Sequence, residues 1–561
     1  MDVACSIIDR DIARLEESIR ALKSRRNELS PVSRLPPEVL CIIFSFIEDR
    51  NISHRSPESW INFSRVSQQW RSLALSAPEL WTNIPINYPR WTQEMLIRSK
   101  MAKLTIRVDF SMNFQALETV KSCLSQMKRL GEISITRASG SILEKLCQNL
   151  PKSAPQLHTL RINRHLPSDH LPATIHEDFL CDTERLQHVD LDCKISWESR
   201  LLTGLTRLTL HNSLQDDTTS SIIQFLHALQ RMPALTNLDL EDSIPHDTGG
   251  LSTYPTVNLP CLRVLRISSG VGALTSALRH ITFPSSAVLN VTCKETQSIQ
   301  IDFSNFFSVL AAKFLSFLVI RRLNLQNFNG GIGLKFLVWT TAINQDVSPP
   351  SLTPAQLELV LTWPMSPPPH ARPDYMNVFS AAFDAMNLSA LTQLQISTLD
   401  LIDSKTWLKT FGKLPLLEQV HVQSYTAQSF LNALMYKTQA ADQSKTAYYD
   451  VSFPKLRYIH LDDTDFTGIN YIGSISVDML MDCFMERYER NAEIQVLHLD
   501  DCYNISDEDV ERLQEIVVDV IWDGVERISA YDSEEERDYH SVDDLDCEDN
   551  YPYGLGRNYW F

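Results

Sequence analysis

Hydrophobic positions in this chain change their period near residue 81. Between residues 35 and 81 they recur every three or four positions, and beyond that they alternate in short bursts. Leu35, Val39, Ile43 and Phe46/Ile47 form one helical stripe that Leu40 and Phe44 widen, so this helix is apolar around most of its circumference and needs partners on two sides. Pro36 and Pro37 suit its first turn, where a missing N–H costs nothing, and Glu38 complements the positive end of the dipole. Val66, Trp70, Leu73 and Leu75 predict a second helix that stops ahead of Pro78. Helices this short cannot bury such stripes alone, so the stretch reads as a docking module.

Beyond Trp81 the form Leu-x-x-Leu-x-Leu returns again and again. Segments begin at Leu157, Leu186, Leu205, Leu235 and Leu262, spaced 29, 19, 30 and 27 residues apart. Later ones begin at Leu391, Leu416, Leu456 and Ile494, spaced 25, 40 and 38 residues apart, and weaker versions start near Leu104 and Leu130. Each predicts a short strand whose alternate apolar residues enter a shared core, while amphipathic stretches such as Ser221 to Leu229 predict helices between strands. The period resembles that of degenerate leucine-rich repeats. The expected fold class is α/β, with a small all-α domain followed by a curved repeat solenoid built on a parallel sheet.

The run Leu35-Pro36, Glu38, Leu40, Ile43-Phe44, Val66 and Trp70-Arg71-Leu73-Ala74 resembles the F-box, the adaptor-binding module of Skp-cullin-F-box ubiquitin ligases. Ser59-Trp60 and Pro78-Glu79-Leu80-Trp81 look like the variant abundant in mushroom-forming fungi. The resemblance implies a Skp-type adaptor, contacted through Leu35, Pro36, Pro37, Val39, Leu40, Ile43, Phe44, Val66 and Trp70, and through it a cullin. It further implies a non-catalytic substrate receptor that holds a target protein while other subunits transfer ubiquitin. The alternative is an interaction or scaffold protein that binds the adaptor without promoting transfer. Side-chain alternation along the strands places target recognition on outward positions, which include His158, Arg161, Arg207, Asp239, Arg263 and Arg266. Their mixed charge favours a protein partner over nucleic acid.

The expected organisation is an N-terminal helix over 1–30, an F-box over 31–82, repeats over 83–522 and an acidic tail over 523–561. Ile8, Ile12, Leu15, Ile19, Leu22 and Leu29 form an a/d seam, read either as a dimerising coiled coil or as a helix packed on the F-box, with Ser6 and Asp9 resembling a capping box at its start. Eight prolines between residues 347 and 373 predict a loop-rich insertion between repeats. The tail from Asp523 to Asn550 holds twelve acidic residues against two arginines and predicts a solvated, disordered segment.

Composition changes this picture little. A net charge of −18 over 561 residues argues against nonspecific binding to nucleic acid or anionic membranes. Eleven scattered cysteines without a CxxC pair predict thiols in a reducing compartment, cytoplasmic or nuclear, with neither disulfides nor a metal site. The apolar run Phe306 to Ile320 is too short to span a bilayer and reads as a buried repeat helix. Asp247-Thr248-Gly249 lacks the second carboxylate that an aspartic protease needs, Gly270-Val271-Gly272 reads as a turn, and His176-Glu177 lacks a second histidine. No cofactor and no catalytic residue is expected.

Overall fold

A strand with apolar residues at every second position cannot fold alone, because its backbone N–H and C=O groups point sideways and need a neighbour on each edge. The computed structural model meets that demand with a mostly parallel sheet of seventeen strands. It describes residues 2–50, 61–111, 116–149, 153–164, 174–175, 180, 182–212, 221–245, 254–294, 303–328, 333–341, 354–363, 375–397, 402–435, 451–468 and 474–528. The first strands are β1 (Asn83–Ile84), β2 (Leu104–Asp109), β3 (Leu130–Ala138), β4 (Thr159–Arg164), β5 (His188–Leu191), β6 (Arg207–His211) and β7 (Asn237–Glu241). A small side pair, β8 (Val257–Asn258) with β10 (Ile281–Thr282), stands apart, while β9 (Val264–Ser269) and β11 (Val288–Lys294) continue the main sheet.

Register turns the sequence alternation into continuous apolar rows. Leu160, Val189, Leu208, Leu238, Leu265 and Leu289 are Cα partners across β4, β5, β6, β7, β9 and β11, and all are buried. A second buried row follows two residues on, from Ile162 to Val291. Strands in the first half usually add in chain order. Several are followed by a residue of positive φ, including Asn212, Asp242, Ser424, Asp463 and Asp501. Short polar side chains tolerate that left-handed geometry better than branched ones, which accounts for the polar residue following these segments.

The middle of the sheet breaks the order. β12 (Arg322–Phe328), β13 (Gly333–Trp339) and β14 (Leu357–Thr362) form a meander in which β13 runs antiparallel to both neighbours. β14 returns to lie parallel to β11, and β12 lies parallel to β15 (Gln393–Ser397), so the spatial order reads β11, β14, β13, β12, β15. This corrects the expected proline-rich loop. The nine residues between Pro354 and Pro364 are free of proline. Six of them make β14, with Leu357, Leu359 and Leu361 fully buried. The remaining prolines of that tract, apart from Pro354, lie outside the described residues. Parallel addition then resumes through β16 (Gln419–Gln423), β17 (Tyr458–Asp462), β18 (Val496–Asp500) and β19 (Asp519–Trp522).

Two devices tie successive layers together. In the second half, aromatic rings pass the core from one layer to the next: Phe307 to Phe336, Phe379, Phe383, Phe411, Trp407, Phe430 and Phe453, with centroids 4.9 to 6.4 Å apart. Such pairs add packing energy beyond the area they bury. The second device is arginine reaching back 33 or 34 residues to a carbonyl. Arg129 donates to Leu96 O, Arg231 to Trp197 O and Arg487 to Phe453 O, at 3.0, 2.7 and 2.9 Å.

The N-terminal part is helical: α1 (Asp2–Glu28), α2 (Pro37–Arg50) and α3 (Gln68–Ser76). α1 begins ahead of Ser6, which therefore sits inside the helix instead of capping it. Its apolar seam is exposed among the described residues. The run Phe306 to Ile320 is also shorter as a helix than expected, since Ser304–Lys313 gives way to a 3-10 turn at Leu315–Phe317. No described helix is long and apolar enough to cross a membrane. Asp247-Thr248-Gly249, His176-Glu177 and the tail from residue 529 lie outside the described residues.

Module and sheet meet without a spacer. Trp81 is buried, donates its indole N–H to Ala74 O at 2.8 Å and lies under the Arg98 guanidinium at 4.4 Å. Two residues later β1 pairs with β2, reinforced by the bond from Thr105 N–H to Thr82 O at 2.9 Å.

Arg487 is buried, and its guanidinium is also bonded to Ser452 O at 2.8 Å. Replacing it by methionine keeps the volume but removes both donors, leaving Ser452 O without the guanidinium and Phe453 O with the Leu456 N–H alone. Arg487→Met is expected to cost about 2–3 kcal/mol, read as a lower urea midpoint; an unchanged midpoint would remove these stitches from the list of stabilising contacts.

Candidate docking face and the outward rows of the sheet

α2 divides its apolar residues between two tasks. Leu40 and Phe44 are buried, and the Phe44 ring stacks on Phe63 at 4.2 Å and tilts against Trp70 at 5.0 Å. These two residues hold the module's own core, and Trp70 and Leu35 pack half-buried against it. Ile43 is half-buried. The face that remains is made by Pro36, Pro37, Val39, Ile42 and Phe46. Ile42 and Phe46 expose 55% and 63% of their surface, an unusual amount for residues of that size on one helix. Val66, exposed in the turn before α3, is tied to the end of α1 by the Asn27 amide, which donates to its carbonyl at 3.4 Å.

Thus the structure places Val39 on the surface stripe and Leu40 and Phe44 beneath it. Sequence reasoning named neither Ile42 nor Phe46 as contact residues. The signal was present, since 39, 42 and 46 share a helical face, but a helix apolar all round gives no internal cue to which side its own module covers.

On the sheet, the outward rows carry charges of both signs, as in Arg161, Asp190, Thr209, Asp239 and Arg266, which are Cα partners across β4 to β9. Arg161 lies 3.7 Å from Asp190, and Arg266 lies 3.8 Å from Asp239. Lys294 bridges Glu241 at 2.6 Å and Asp242 at 3.0 Å, while His211 reaches the other Glu241 oxygen at 2.9 Å. The hydrogen bond from Lys294 is the main reason the Glu241 carboxyl sits below its usual range. Burial lifts Asp190 and Asp239 despite their arginine neighbours. Arg207 and Arg263 are exposed and have no ion-pair partner among the described residues. His158 is exposed and shares a hydrogen bond with Thr159 Oγ1 at 2.9 Å. Of the six expected recognition residues, Arg161, Arg207, Asp239 and Arg266 lie at outward positions of β4, β6, β7 and β9, whereas His158 and Arg263 lie just ahead of β4 and β9 and not within them; four of the six take part in ion pairs or hydrogen bonds.

A second outward feature escaped the sequence reading. His421, His460 and His498 are Cα partners on β16, β17 and β18, and their rings stack at 3.9 and 4.1 Å with planes 17° and 9° apart. Each sits between two core residues, as in Val420-His421-Val422, so aligning the three segments would have shown it. Tyr458 Oη lies 3.1 Å from His498 Nδ1. His460, His498 and Asp500 bring ligand atoms within 4.8 Å of one another. Imidazole lone pairs lie in the ring plane, however, and two nearly parallel planes 4.1 Å apart do not converge on one ion at 2.0–2.1 Å. The neighbouring Asp501 and Asp523 are already bridged by Arg527 at 2.6 Å each. Thiol chemistry is equally remote at Cys123, Cys483 and Cys502, whose pKa burial pushes up to about 12.

Burial, reinforced by His421 and His498, lowers the pKa of His460 from 6.5 to about 3, with Asp462 opposing. Between those values the unfolded chain binds a proton that the folded one refuses, so stability falls as pH drops from 6.5 toward 3. His460→Gln is expected to lose less stability than the parent between pH 7 and pH 5, measured as urea midpoints; equal losses in both proteins would contradict the assignment.

Comparison with known proteins identifies the module. Residues 32–86 match the family model described as F-box-like. Among curated proteins none matches the chain. A crystal structure of a Rad7 and Elc1 complex in yeast aligns over 82% of this chain and 96% of that one, at 13% identity and a TM-score of 0.28, too low to inform either fold or function. The chain thus carries an F-box-like domain at residues 32–86, joined directly to a large, mostly parallel sheet.

Proposed function

We propose that this protein is a substrate-receptor subunit of a Skp-cullin-F-box ubiquitin ligase. α2 docks on a Skp-type adaptor that links the chain to a cullin, and the sheet, read as degenerate leucine-rich repeats over 83–522, holds a target protein. Ubiquitin is transferred by other subunits, in the cytoplasm or nucleus, and the contribution of this chain is proximity. The observation that carries this reading is the stripe of Val39, Ile42 and Phe46, apolar and exposed on an F-box-like domain whose own core is closed by Leu40 and Phe44. A stripe of that kind suits a partner that buries it. The paired rows around Arg161, Asp190, Asp239 and Arg266 offer charges of both signs, which suits a folded protein surface better than a polyanion.

Since Ile42 is exposed, changing it tests docking without emptying the core. Val39→Glu/Ile42→Glu is expected to lower adaptor affinity by roughly 30-fold or more, while the circular dichroism of the chain stays the same. Co-purification of the adaptor at parental levels with this variant would overturn the reading. Phe44→Ala, by contrast, is expected to unfold the module and lose the adaptor for that reason.

A further inference from the structure

α1 runs for 27 residues, about 40 Å, with its seam in solvent: Ile8, Leu15 and Leu22 are 58%, 64% and 68% exposed. The heptad that fits this seam puts Ile12, Ile19 and Arg26 at a, and Ile8, Leu15 and Leu22 at d. Charge along the helix is segregated. Residues 2–17 hold Asp2, Asp9, Asp11, Glu16 and Glu17 against Arg10 and Arg14, whereas residues 18–28 hold Arg20, Lys23, Arg25 and Arg26 against Glu28. One half is acidic and the other basic by the same amount.

We infer that α1 pairs with α1 of a second copy of this chain, antiparallel. Running the two helices in opposite directions sets Leu15 against Ile19 of the other copy and Ile12 against Leu22, so every central seam layer is apolar. The same register brings Asp9 beside Lys23 and Asp11 beside Arg25 at the flanking e and g positions, each pair occurring twice by symmetry. Of the charged flanking residues only Glu16 meets its own copy. The parallel arrangement fares worse: it sets Asp11 at g against Glu16 at e, stacks Arg26 on Arg26 within the seam, and offers no attractive flanking pair. Asp9, Lys23 and Arg25 have no ion-pair partner among the described residues, and Asp11, Glu16 and Glu17 are satisfied only by exposed pairs within the helix. The far end of α1 is tied to the module, through Asn27 to Val66 O and Ser33 Oγ to Asn27 O, whereas the seam upstream of it is exposed among the described residues.

The test uses the full-length chain in sedimentation equilibrium. The parent is expected to form a dimer, and Ile12→Glu/Leu22→Glu to be a monomer with an unchanged sheet unfolding transition. Asp9→Lys/Asp11→Lys and Lys23→Glu/Arg25→Glu are each expected to weaken the dimer about tenfold, and an equimolar mixture of these two variants to associate at least as well as the parent. A monomeric parent, or a dimer indifferent to the seam variant, would overturn self-association through α1. A tighter dimer for Asp11→Lys alone would overturn the antiparallel direction, because only the parallel arrangement turns Asp11 against Glu16 into an attractive pair.

Discussion

Everything from Asn83 to Trp522 depends on backbone hydrogen bonding across strand edges. A strand of five residues has little apolar surface to bury and ten backbone polar groups to satisfy, so it persists only while both neighbours are in register. Register is also what aligns Leu160, Val189 and Leu208 into a row, and a slip of one residue would turn that row outward. The apolar core, the outward charge rows and the histidine stack are three results of the same alignment.

Periodicity made most of the strands legible, because a parallel sheet covered on one face writes alternation directly into sequence. Leu157 to Ile162 and Leu456 to Leu461 each contain a strand in the expected place. The reading failed where another constraint outranked pattern. The proline count around residue 357 argued for a loop, yet prolines flanking a strand do not interrupt its ladder, and β14 fits between them. Nothing local in Gly333 to Trp339 announces that it runs against its neighbours, since direction is set by which edge is free when the chain arrives. The aromatic run from Phe307 to Phe453 was invisible for a related reason: its members are scattered in sequence and meet only through the stacking of layers.

On the candidate docking face, sequence identified the helix and its apolar character but could not divide its circumference. Leu40 and Val39 look alike as residues, and only the positions of Phe63 and Trp70 decide that the first is core and the second is surface. In the outward rows the alternation of strand side chains sufficed to place Arg161 and Arg266, whereas His158 falls ahead of β4 and the pairing of Arg161 with Asp190 needed the neighbouring strand.

Trp81 closes the helical module and, two residues later, the sheet begins. A flexible linker would let the two surfaces sample many orientations, and their mutual reach would be set by chain statistics. Here the joint is a buried ring clamped between a carbonyl and a guanidinium, so the bearing of the sheet from α2 is a constant of the fold. Under the proposed function, two bodies held by these surfaces would meet at one angle and one separation, so the chain would act as a gauge as much as a tether, selecting partners by where their reactive groups lie as well as by what they bind.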